Sequence, residues 1–148
     1  MCSSDLITRF ATGFPIALSQ SGDRSLTGAG GVDRPDYIGG LEITSDVRNT
    51  PNHQYFNKTA FVSETLGTMG NANQRFFHGP GLNNWDVGLQ KITRIRESMS
   101  LQFRAEFFNA LEHAQFTNPT GSFTSGNFGR VTGARAGRIG QMSLKFLW

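Results

Sequence analysis

Three stretches between Trp85 and Trp148 alternate apolar and polar residues with a period of two, and few folds tolerate that pattern. From Trp85 to Ile95, Trp85, Val87 and Leu89 stand against Asp86, Gly88 and Gln90. After Arg96-Glu97-Ser98-Met99 the alternation resumes, with Leu101, Phe103, Ala105 and Phe107 opposed to Gln102, Arg104 and Glu106. In Arg138 to Trp148 the even positions Gly140, Met142, Leu144, Phe146 and Trp148 oppose Gln141, Ser143 and Lys145. Successive side chains of a strand point to opposite faces, so each stretch reads as a strand with one apolar and one polar face.

Such strands suit a soluble β-sandwich or a membrane barrel equally, and the chemistry of the polar face favours the barrel. Asp86, Gln90, Arg94, Gln102, Arg104 and Glu106 make a polar network suited to a barrel lumen, where opposite charges on neighbouring strands pair and water solvates the rest. A tilted strand crosses a bilayer in about 9–11 residues, which Arg138 to Trp148 supplies. Lys91 falls on the apolar face, tolerable where its stem can snorkel to an interface. Phe10, Phe14, Trp85, Phe107 and Phe146 suit an aromatic girdle or a lipid-facing band.

The remainder of the chain divides by turn chemistry. Ile7 to Leu18, with Thr8, Phe10, Thr12, Phe14 and Ile16 on one side, reads as a strand that frays at Pro15. Residues 19–83 carry Ser21-Gly22-Asp23, Gly28-Ala29-Gly30-Gly31, Asp33-Arg34-Pro35-Asp36, Asn49-Thr50-Pro51-Asn52 and His78-Gly79-Pro80-Gly81, a long structured loop. Its apolar islands Tyr55-Phe56, Ala60-Phe61-Val62 and Phe76-Phe77 are expected to anchor it on the strands or on itself. A second loop, rich in Gly, Ser and Asn, spans 112–137. Strands are thus expected over about 7–18, 84–95, 100–111 and 138–148, and parity between the middle two calls for a three- or five-residue connection. The fold class expected is all-β: an antiparallel up-and-down sheet, the last strands of a large transmembrane barrel with long extracellular loops.

Composition closes other routes. Eighteen Gly, thirteen Phe and a mean hydropathy of −0.33 describe a polar chain loaded with apolar rings. Every apolar run is interrupted far short of the roughly 18–20 residues of a membrane helix. A net charge of +3 is spread over scattered Lys and Arg, which argues against nucleic acid. Cys2 is the single cysteine and forms no internal disulfide. No secretory leader opens the chain. Met1-Cys2-Ser3-Ser4-Asp5-Leu6 resembles the translation of a sequencing-adapter oligonucleotide, so residues 1–6 are taken as a non-native tail.

Several motifs in order carry a family likeness. Gly79-Pro80-Gly81-Leu82-Asn83-Asn84-Trp85-Asp86-Val87, Leu101-Gln102-Phe103-Arg104-Ala105-Glu106-Phe107-Phe108-Asn109-Ala110 and Asn127-Phe128-Gly129-Arg130-Val131 resemble the C-terminal end of Oar-like TonB-dependent receptors of acidobacteria. Upstream, Ser21-Gly22-Asp23, Asp33 to Gly39 and Gln54-Tyr55-Phe56-Asn57 with Ala60-Phe61 resemble the last long external loop of that family. The resemblance implies an integral outer-membrane barrel of about 22 strands with an N-terminal plug, taking part in energy-coupled transport of a bulky substrate. Partners would be outer-membrane lipid, the barrel-assembly machinery and, through plug and TonB box alone, TonB. A terminal aromatic after alternating apolar residues marks Met142, Leu144, Phe146 and Trp148 as an assembly signal. Alternatives are an adhesion or surface-display barrel, or a soluble sandwich binding module.

No enzyme, cofactor or metal site is expected. His53, His78 and His113 lack ligand spacing, Arg34 and Pro35 interrupt any calcium rhythm of Asp33, Asp36 and Asp46, and Arg104, Glu106 and Asp86 read as an ion network rather than an acid/base set.

Overall fold

The structure, a computed structural model, describes residues 1–29, 33–44, 46–73 and 75–148. Gly30 and Gly31 of the expected Gly28–Gly31 turn lie outside the described residues. In chain order the strands are β1 (Cys2–Ala11), β2 (Pro15–Ala17), β3 (Asp36–Tyr37), β4 (Phe61–Val62), β5 (Arg75–His78), β6 (Leu82–Arg96), β7 (Met99–Phe108) and β8 (Ile139–Leu147). They fall into two compact units, one of Met1–Ala11, Leu82–Gln115 and Arg135–Trp148, the other of Thr12–Gly81 and Phe116–Ala134.

The first unit is a four-stranded antiparallel sheet in the order β1-β6-β7-β8. Its register keeps like faces together: Thr8 pairs with Trp85, Leu6 with Val87, Leu89 with Ala105, Phe103 with Leu144 and Leu101 with Phe146. The Phe10 and Trp85 rings meet edge to face at 5.7 Å on this apolar face. Among the described residues of this unit none packs over it. Every residue of β1 and β8 is exposed, and Ala105 alone is buried in the four strands. A sandwich needs interdigitated buried side chains between two layers, so the sandwich alternative fails here.

The hairpin shows how parity is met. Val87 pairs with Phe107 and Arg94 with Ser100, but the register shifts between Arg94 and Arg96, and Arg96 pairs with Met99. Ile95 is therefore a bulge, and the turn itself is Glu97-Ser98 rather than a three- or five-residue loop. At the opposite end of the strands, β1 leads to β6 and β7 to β8 through long segments.

Other boundaries also differ. Cys2 to Leu6, expected as a tail, form the first half of β1 and pair with Lys91 to Val87, because that part of β6 offers an open ladder edge. The strand expected over 7–18 breaks after Ala11. A Cβ on Gly13 would lie 1.8 Å from the Gly79 carbonyl oxygen, so only glycine admits this crossing, and Pro15–Ala17 then pairs with β5. The strand expected over 100–111 stops at Phe108 because Asn109 turns into the left-handed region at φ 52°.

The second unit joins both long segments. Among the described residues its paired strands are β2 with β5 and β3 with β4, and isolated bridges such as Ile43–Phe56 and Gln54–Arg130 join irregular backbone and 3-10 turns. Ile16, Leu18, Val47, Phe56, Phe61, Phe77, Phe128 and Val131 form its core. Phe56 is the hub, meeting Phe77 at 4.8 Å, Phe128 at 5.0 Å and Phe61 at 5.9 Å edge to face, the favoured geometry for ring pairs. Gly129, at φ +77°, brings its carbonyl to the Tyr55 and Phe56 amides, and a Cβ there would lie 2.5 Å from the Phe56 oxygen. The islands Tyr55-Phe56, Ala60-Phe61-Val62 and Phe76-Phe77 thus pack on one another and on the second segment.

Truncating Phe56 to Ala should cost about 3–5 kcal/mol, read as a lower denaturant concentration at which protease cleaves segment 12–81. Phe14→Ala, at a side chain 74% exposed, should leave that concentration nearly unchanged. Equal effects would sink the assignment of Phe56 as the hub.

Candidate functional site

On the face of the sheet opposite Trp85 and Phe103, the register gathers polar side chains. Gln90 stands opposite Arg104, Ile92 opposite Gln102, Gly88 opposite Glu106 and Arg94 opposite Ser100. Across the next ladder Glu106 faces Gln141 and Gln102 faces Lys145. The Glu106 carboxylate accepts from the Arg104 guanidinium at 2.5 Å on one oxygen and from the Gln141 amide at 2.5 Å on the other. Of the six residues expected to form one network, Arg104 and Glu106 bond directly. Gln90 and Gln102 share the face beside them without a bond to them, and Arg94 lies nearer the turn. Gln141 joins this group: alternation along the terminal strand places it on the polar face, but only the pairing of β7 with β8 brings it to Glu106.

Asp86 belongs to a different group. Its Oδ1 accepts from the Asn84 amide at 2.9 Å and from the Asn109 backbone N–H at 2.9 Å. The buried Asn109 side chain in turn donates to the His113 carbonyl at 3.0 Å and accepts from the His113 N–H at 3.0 Å. Gln115, also buried, accepts from the Asn83 N–H at 3.2 Å and donates to the Asn83 carbonyl. These bonds satisfy the backbone where β7 ends and the sheet ladder can no longer do so. Asn109 and Gln115 look like ordinary loop residues in the sequence; the one cue is Asn109 directly after a strand, where a left-handed residue is well tolerated.

Met142, Leu144, Phe146 and Trp148 fall on the apolar face and are all exposed, Trp148 at 89%. The Phe146 and Trp148 rings lie 6.0 Å apart at the end of the chain. Lys91 is on this face too, opposite Cys2 and Phe103.

In the second unit the three aspartates considered for calcium serve local backbone instead. Asp33 is buried and accepts from the Ser25 hydroxyl at 2.5 Å and the Arg24 and Ser25 N–H groups at 2.5 and 3.1 Å. The Ser25 hydroxyl bond first, and the backbone donors with it, hold its carboxyl below the usual carboxylate range. Asp36 accepts from the Asn71 N–H at 2.8 Å, and Asp46 from the Arg48 guanidinium at 2.9 Å. That Arg48 bond lowers the Asp46 carboxyl below its ordinary range. Of the histidines, His53 has Nδ1 3.3 Å from the Val47 carbonyl, and the His78 carbonyl accepts from the Tyr55 hydroxyl at 3.0 Å. Burial raises that Tyr55 hydroxyl above its usual value.

Residues 4–141 of the 148 match the family model of the outer membrane beta barrel domain. The chain belongs to that family. No curated protein and no solved structure shows a significant match to it. Membership explains why this outer-membrane barrel protein leaves the apolar face of its sheet bare, since hydrocarbon rather than a second sheet covers such a face. No helix among the described residues is long and apolar enough to span a bilayer, and strands do so instead.

The aspartate cluster gives a pH test. Because the folded-state pKa of Asp33 lies below its unfolded value, its contribution is complete above the ordinary carboxylate range and is lost as pH falls through the lower folded value. Asp33→Asn should therefore weaken the second unit at neutral pH and flatten its acid-induced loss below about pH 4, followed by protease accessibility of segment 12–81. An unchanged acid limb would refute the role given to Asp33.

Proposed function

We propose that this outer-membrane barrel protein supplies strands of a TonB-dependent receptor of the Oar-like type, which moves a bulky substrate across the outer membrane. The observation that carries the transport reading is the ionic face of the sheet. Arg104, Glu106, Gln141, Gln102 and Lys145 share it, and such a face requires a hydrated or protein-filled interior, since charges at the lipid face cost about 2–4 kcal/mol each near the midplane. The ordered motifs from Gly79-Pro80-Gly81 to Asn127-Phe128-Gly129 support the receptor type by resemblance.

In this reading Asp86, Gln90, Arg94, Gln102, Arg104 and Glu106 face the lumen. The Glu97-Ser98 turn is periplasmic, and segments 12–81 and 109–138 are extracellular, matching the short-turn and long-loop asymmetry of bacterial barrels. The open edges of β1 and β8 pair with further strands, because an unpaired edge in hydrocarbon costs several kcal/mol per unsatisfied group. Met142, Leu144, Phe146 and Trp148 are the segment read by the barrel-assembly machinery.

A surface-display role is favoured by one observation, the second unit's own aromatic core around Phe56. The two are separated by energy coupling: cells expressing the complete barrel should accumulate a bulky nutrient only with TonB intact. Uptake indifferent to TonB would sink the receptor reading. Independently, Trp148→Ala should reduce the heat-modifiable, assembled form several-fold in outer-membrane fractions, while Ser3→Ala at the exposed start of β1 should not. Full assembly of the Trp148 variant would overturn the signal assignment.

A further inference from the structure

A cleft of about 530 Å³ opens in the second unit between the turn Asn52-His53 and the segment that follows Asn127. That size falls in the range of small-molecule sites, roughly 300–1,000 Å³. Phe116 and Val131 supply apolar wall, while His53 and Arg130 supply nitrogen donors, and no Asp or Glu lines it. Arg130 is half-buried and forms no ion pair among the described residues. A guanidinium stays charged at any physiological pH, and half-buried beside Phe116 and Val131 it has lost part of its hydration without gaining a counter-ion among the described residues.

The rim is held rigidly and at some strain. Asn52 and His53 are consecutive non-glycine residues in the left-handed region, at φ 56° and 54°. Such conformations persist where the surroundings over-determine them, and they gather at ligand sites. Here the Thr50 hydroxyl lies 2.9 Å from both the Val47 and Gln54 carbonyls, and the Val131 N–H donates to the His53 carbonyl at 3.0 Å. The Arg130 backbone is fixed as well, its N–H on the Asn127 carbonyl at 2.9 Å and its carbonyl on the Thr120 N–H at 3.0 Å. The cleft is therefore preorganised around one unmatched positive charge.

We propose that this cleft is a capture site for a small organic carboxylate with an apolar body, the carboxylate on Arg130 and the body against Phe116 and Val131. One planar guanidinium matches a monoanionic carboxylate bidentately, whereas a phosphate dianion would call for more cationic partners than the cleft holds. Binding is independent of transport, so a barrel that binds such an acid yet imports nothing refutes the receptor reading and leaves this one standing.

The test is calorimetric titration of the complete barrel in neutral detergent with 3-phenylpropionate, its uncharged amide and inorganic phosphate. The acid should bind at least tenfold more tightly than the amide or phosphate. Arg130→Gln should weaken the acid at least tenfold and leave the amide unchanged. Gly133 lines the same cleft, and a Cβ there meets only the Thr117 side chain at 3.5 Å, so Gly133→Leu should fill the space and abolish both. Comparison of acid with amide on the unaltered protein needs no variant to fold. Equal affinity for acid and amide, tighter binding of phosphate, or acid binding indifferent to Arg130→Gln in protein that retains its heat-modifiable form would each overturn the proposal.

Discussion

In hydrocarbon a backbone N–H or C=O finds no water, and every other feature of the sheet follows from that shortage. The ladders β1–β6, β6–β7 and β7–β8 pair residue after residue, and the one irregularity inside them is at the Arg94–Arg96 shift beside the turn. Because side chains alternate along a strand, satisfying the backbone also fixes which side chains meet lipid. A slip of one residue between β6 and β7 would carry Arg104 and Glu106 to the side of Trp85 and Phe103 to the ionic side. The bulge at Ile95 lets a tight turn coexist with a register that keeps the two faces pure.

Where regular ladders stop, side chains take over the same accounting. Asp86, Asn109, Gln115 and Asn83 close the backbone at the loop end of the sheet, and Asp33, Asp36 and Asp46 do so within the second unit. Short polar residues with local reach are suited to this, since they cap turns that no strand partner serves. The loops are thus ordered by two separate means: edge-to-face rings in the core, and carboxylates, the buried Asp33 among them, that hold turns.

The faces of β6, β7 and β8 were legible in the sequence because alternation is local, and Leu101, Phe103 and Ala105 announce their side without knowledge of any partner. What depended on distant residues was not legible. Cys2 to Leu6 hold little β-forming character in Ser3, Ser4 and Asp5, and they become a strand only because β6 extends beside them. The break after Ala11 rests on Gly13 meeting Gly79. Alternation places Gln90, Gln102, Arg104 and Glu106 on one face but does not say which of them bond: Asp86 accepts from Asn109 and Glu106 takes Gln141 as its second donor. Nothing near Phe56 in sequence indicates that Phe128 will be its neighbour.

That last pairing bears on how the chain reaches its structure. Phe56 and Phe128 lie on opposite sides of the β6–β7 hairpin in sequence, so bringing them together first would mean closing one long loop. Each halving of a loop lowers its closure cost by only about 0.6 kcal/mol, but the hairpin removes nearly the whole intervening length at once. The Ala110 N–H on the Trp85 carbonyl at 2.7 Å, with Gln115 on Asn83, draws the two ends of the hairpin together. With the hairpin formed, the Phe56–Phe128 contact closes a much shorter effective loop, so the entropic cost of assembling the rings falls.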